Sequence, residues 1–107
     1  MRFDGFRARL NERVHCNDGF SMSVQANENA YCMPQKSGCE RYSHVEVAFP
    51  SKPEPILKDY FDSDQSCVFA YVPVDLVRHL IDKHGGIRSG EVPKGVPVYG
   101  ITHYRKI

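Results

Sequence analysis

Four cysteines and five histidines are the side chains of this 107-residue chain best suited to metal binding or covalent chemistry. Structural zinc takes four tetrahedral Cys or His ligands, usually delivered as close pairs such as C-x2-C that one turn presents together. Cys32 and Cys39 flank a loop holding Pro34 and Gly38, with six residues between them, and His44 lies five positions beyond Cys39. His15-Cys16 stands upstream. The wide gap, and the alternation of His44 with core-facing Val45, favour free or buried thiols over a metal centre, so no metal and no cofactor is expected. Cysteine catalysis needs a Cys, a His and an orienting acid or amide brought together in space. Nothing in the spacing selects such a pair, and no catalytic residue is assigned. Cys67 falls in an apolar run and is expected in the core, where burial raises a thiol pKa and lowers its reactivity.

Other chemistry-bearing patterns are weaker. Gly85-Gly86-Ile87-Arg88-Ser89-Gly90 is glycine-rich. It follows a helix pattern, whereas nucleotide loops precede a helix and use its N-terminal dipole. Asp59, Asp62 and Asp64 lack calcium-loop spacing and a closing Glu. Aromatic residues say more. Tyr31, Tyr42, Tyr60, Phe61, Tyr99 and Tyr104 exceed the needs of one small core, and Tyr is enriched at protein interfaces. Tyr31 and Tyr42 bracket the 32–41 loop, while Tyr60 and Phe61 sit in a proline-rich loop; these two loops form the expected binding surface.

The elements that must position these residues are legible from their periodicity. Asn17-Asp18-Gly19 is a turn, because Asn, Asp and Gly tolerate left-handed backbone. Phe20, Met22, Val24 and Ala26 alternate with Ser21, Ser23, Gln25 and Asn27, the period of a half-buried strand. Val45, Val47 and Phe49 alternate with His44, Glu46 and Ala48, which predicts a second strand antiparallel to the first. Arg2 to Val14 is compatible with a short strand or a short helix. Pro50, Pro53 and Pro55 break regular structure, and Ile56 to Phe61 suits one helical turn. Cys67 to Val72 predicts a strand covered on both faces. Pro73 suits the first helical position. Val74, Val77, Leu80, Ile81 and His84 then form the inward stripe of a helix over about 74–84, ended by Gly85 in a left-handed cap. Residues 87–95 read as loop and 96–104 as a closing strand. The expected fold is α+β: an antiparallel sheet of about four strands with one main helix on one face.

At 107 residues the chain suits a single small globular domain, 1–107. A net charge of +1 argues against a strongly acidic nucleic-acid mimic and against a dedicated nucleic-acid binder. No stretch approaches the roughly 20 apolar residues of a membrane span. Met1-Arg2-Phe3-Asp4-Gly5 has no apolar stretch, so no signal peptide is expected, and the four thiols are expected reduced in a cytosol.

Three stretches carry a resemblance. They are Phe20 to Ala26, then Tyr31-Cys32 with Val45 to Pro50, then Tyr71-Val72-Pro73-Val74 through His84-Gly85-Gly86-Ile87. Together they resemble a group of small proteins encoded in bacteriophage and prophage genomes, over roughly residues 18–87. The resemblance implies a phage accessory protein in a host bacterial cytoplasm. By association it implies an anti-CRISPR-like inhibitor: a non-enzymatic protein that occupies the surface of a host protein or ribonucleoprotein complex. Tyr31, Arg41, Tyr42, Lys58, Tyr60 and Phe61 are the expected contact residues. The alternatives are a nucleic-acid-associated accessory protein using Arg7, Arg9, Arg88, Arg105 and Lys106, and a small zinc protein built on Cys and His. An exposed sheet edge leaves both monomer and homodimer open.

Overall fold

A computed structural model of the protein describes residues 10–62 and 67–97. Five strands, β1 (Val14–Cys16), β2 (Ser21–Gln25), β3 (His44–Ala48), β4 (Val68–Pro73) and β5 (Ile87–Ser89), form one sheet. Its order is β4-β3-β2-β1-β5. Each neighbouring pair is antiparallel. Among the described residues a single α-helix, α1 (Val74–Lys83), leaves β4 directly and returns the chain to the far edge of the sheet. A short 3-10 helix, Pro55–Tyr60, lies against β4. The α+β class and the 20–26 and 42–49 strand pair agree with the sequence reading.

The core follows from the registers. Val24 stands opposite Val47, Val14 opposite Met22 and Val45 opposite Val72. One sheet face is therefore a continuous apolar surface, and Val77, Leu80 and Ile81 of α1 pack into the same cluster. Leu57 of the 3-10 helix joins them. The opposite face carries Ser21, Ser23, Gln25 and Glu46, and residues 11–13 cover part of it. Gln25 Oε1 accepts the Asn11 N–H at 2.8 Å and Gln25 Nε2 donates to the Asn11 carbonyl at 2.9 Å. Arg13 Nε donates to Ser21 Oγ at 3.0 Å.

Several sequence expectations are corrected. The sheet has five strands rather than about four, because Ile87–Ser89 pairs with β1 instead of forming loop. Three residues between glycines carry no readable period; docking beside β1 makes them a strand. Of the Arg2 to Val14 segment, residues 10–13 form no strand or helix, Val14 opens β1, and the remainder lies outside the described residues. Pro73 ends β4 and caps α1 from outside rather than occupying its first turn. Val96 and Pro97 belong to no strand, and the remainder of the expected 96–104 strand lies outside the described residues.

A further correction shapes the surface. Phe49 and Cys67, expected to face inward, are both exposed and adopt φ of 51° and 63°. They stand opposite each other where β3 and β4 part, and the Phe49 N–H donates to the Cys67 carbonyl at 2.8 Å. Left-handed backbone at a non-glycine residue is sterically costly. Here it turns two side chains outward that strand alternation would have buried.

Candidate functional site

A groove lies beside the reversed pair and is lined in part by Cys67. Pro50, Ser51, Lys52 and Pro53 form one wall, and Phe61, Cys67 and Phe69 the other, around a cavity of about 480 Å³. Phe61 follows the 3-10 helix and makes an antiparallel bridge to Phe69. Their rings meet edge-to-face at 5.7 Å. Phe61 is 51% exposed and neighbouring Phe49 56%. Large apolar rings gathered on one surface are atypical of solvated loops and mark contact sites. Lys52 is the charged residue of the lining.

Behind the proline wall lies a buried ionic bridge that sequence reading missed. Gly86 N–H bonds the Ile81 carbonyl at 3.0 Å and Gly85 N–H the Asp82 carbonyl at 3.1 Å, the paired bonds that close a helix through a left-handed glycine. This closure fixes His84 as the cap residue, with its side chain buried. The β1–β2 turn docks on the same end: Asn17 N–H bonds Gly86 O at 3.0 Å and Asp18 N–H bonds His84 O at 3.2 Å. The His84 ring stacks on Phe20 at 4.0 Å, 10° from parallel. Its Nδ1 lies 2.7 Å from Asp18 Oδ2 and its Nε2 2.6 Å from Glu54 Oε2. Lys83 Nζ donates to Glu54 Oε1 at 2.9 Å.

Both ring nitrogens of His84 thus lie within hydrogen-bond distance of a carboxylate oxygen, and the Lys83 ammonium meets Glu54 at the helix C-terminus, which favours positive charge. The Phe20 N–H, followed by His84, holds the Asp18 carboxyl below its ordinary value. Burial pushes Glu54 upward, but hydrogen bonds from Lys83 and His84 outweigh it and the net shift is down. The imidazole is 5% exposed and Glu54 3%. A ring enclosed this way joins α1, the β1–β2 turn and the proline wall; it has no open face for a substrate.

The expected contact residues divide between the two ends of β4. Phe61 is on the groove, with Lys58 exposed and Tyr60 half-buried on the adjoining 3-10 helix. Arg41 lines a second open concavity of about 450 Å³ with Ser43, His44, Pro73 and Asp75. From Phe69 to Pro73 is four strand steps, about 13 Å. Tyr31 lies between, half-buried, its ring 6.0 Å from that of exposed Tyr71. Tyr42 is corrected: it is 4% exposed and belongs to the core. Its hydroxyl donates to the Lys36 carbonyl at 2.7 Å and accepts the Cys39 N–H at 3.2 Å, so it props the 32–41 loop from beneath. Arg88 is exposed on β5, while Arg7, Arg9, Arg105 and Lys106 lie outside the described residues.

Among the described residues thiol and metal chemistry gain no assembled site. Burial pushes the Cys16 thiol up to about 11, with Asp18 adding to the shift. Burial likewise raises Cys32, whose Sγ contacts the Asn27 and Pro34 carbonyls. Among the described residues no group of three or more His, Cys, Asp and Glu is placed to hold a metal. Ser43 Oγ lies 2.8 Å from His44 Nδ1, but no carboxylate of the described residues bonds the other ring nitrogen. No described helix is long and apolar enough to cross a membrane. No protein-family model, curated protein or solved structure matches the chain.

Proposed function

We propose that the protein is a non-enzymatic binding module that docks a protein partner in the Phe61 groove. The observation that carries this reading is the aromatic wall itself. Phe49 and Phe61 stay more than half exposed beside Phe69 and two prolines. Folding normally hides such rings, and desolvating them against a partner favours association. Lys58 and Tyr60 extend the contact along the 3-10 helix. The partner is a host protein or ribonucleoprotein complex in a bacterial cytoplasm, and occupation of its surface inhibits it, as the phage resemblance implies. The test is capture from bacterial lysate at high salt with wild type and Phe61→Ala. One stoichiometric partner retained by wild type and lost by the variant supports the reading. Equal capture by both proteins places the interface elsewhere.

A further inference from the structure

We infer that the His84 bridge is an acid-sensitive latch on the groove: ionised Glu54, gripped by the His84 ring and the Lys83 ammonium, holds the 50–53 wall in place, and neutralising Glu54 releases it. The consequence for docking rests on the groove being the interface; the latch itself is a property of the free protein.

The argument begins with connectivity. Glu54 follows directly on the wall residues Pro50, Ser51, Lys52 and Pro53. The wall is otherwise tied to β2 through Ser51, whose N–H bonds the Ser21 carbonyl at 2.8 Å and whose hydroxyl accepts the Ser21 N–H at 3.0 Å. The far end is the Glu54 carboxylate, buried and bonded on both oxygens. The charged and titratable groups around the bridge are Asp18 and Cys16 on the β1 side, Lys52 and Glu54 on the loop, Lys83 on α1 and Arg88 on β5.

The two arms respond differently to charge loss. Protonated Glu54 loses the charge-assisted bond from Lys83 and the attraction that held the buried carboxylate in place. The loop then moves outward, because α1 is anchored in the core through Leu80 and Ile81. The two carboxylates bear on different elements: Asp18 is 45% exposed on the β1–β2 turn, whereas Glu54 is 3% exposed and directly follows the wall. Neutralising Glu54 frees the groove wall; losing the Asp18 charge loosens the turn.

Amide hydrogen exchange on the free protein tests this at neutral pH through variants. A charge-assisted hydrogen bond contributes about 1.5–3 kcal/mol, so Glu54→Gln should lower protection of the Ser51 amide by roughly tenfold or more. Asp18→Asn should leave Ser51 protection within about twofold of wild type, since its arm bears on the turn. Unchanged Ser51 protection in Glu54→Gln, or an equal loss in Asp18→Asn, overturns the latch. Should Glu54→Gln fail to fold, Lys83→Ala removes one grip from the solvent side and leaves the ring in place. Its Ser51 protection should drop measurably, and wild-type protection in that variant overturns the inference. Failure of the groove to bind any partner would leave these exchange results standing.

Discussion

Removing the Phe61 ring separates a contact residue from a core residue by magnitude alone. Fully burying a Phe side chain stabilises a fold by about 1.5–3 kcal/mol. Phe61 is 51% exposed, so roughly half of that, ~1 kcal/mol, is at stake in the free protein. The edge-to-face pair with Phe69 adds ~0.5–1.5 kcal/mol. Phe61→Ala should therefore cost about 2 kcal/mol, seen in thermal unfolding as a midpoint lower by roughly 6–12 °C. Far-ultraviolet dichroism of the folded state should not change. Against a partner the same ring fills a desolvated pocket, where truncation of an anchor costs at least ~2 kcal/mol, a loss of affinity of about 30-fold. A stability loss above ~4 kcal/mol would make Phe61 a core member. Native stability with undiminished binding would remove it from both roles.

Three further outcomes follow from the same geometry. Gly90 has φ of 106°, and a Cβ there would collide with the Arg13 carbonyl and Val14 Cα; Gly90→Ala should destabilise by more than ~1–3 kcal/mol of backbone strain alone and part β5 from β1, read by denaturant unfolding. Asp18 and Glu54 are both held below their ordinary values, so the folded state binds protons less readily than the unfolded chain. Their stabilisation is complete above the ordinary carboxylate range and is lost as pH falls through the folded values; acid unfolding should begin at higher pH in Glu54→Gln than in wild type, and coincident profiles would contradict the bridge. Under native conditions an alkylating reagent should modify exposed Cys67 and spare buried Cys16 and Cys32; peptide mapping that finds Cys16 labelled first would contradict the burial.

How far the sequence speaks differs by element. The helix stripe Val77, Leu80, Ile81 and His84, its glycine exit and the β2–β3 pair are written in local periodicity, because one buried face imposes a period. β5 is not, since three residues are too few to show one. Phe49 and Cys67 mislead for a physical reason: alternation predicts their direction only while the backbone stays extended, and positive φ at both reverses it. Tyr42 misleads because a tyrosine in a polar loop reads as surface until its hydroxyl partners on Lys36 and Cys39 are seen. Asp18, Glu54 and His84 are 36 and 30 positions apart along the chain, and no pattern of spacing announces that they meet.

The most direct test of the binding account places a photo-crosslinking phenylalanine analogue at position 61 and, separately, at position 71, in protein expressed in bacterial cells. Both sites are exposed aromatic positions on or beside β4, but only position 61 lines the groove. The account predicts one dominant crosslinked partner from position 61 and none from position 71. Crosslinking from 71 alone, or from neither position, would contradict it.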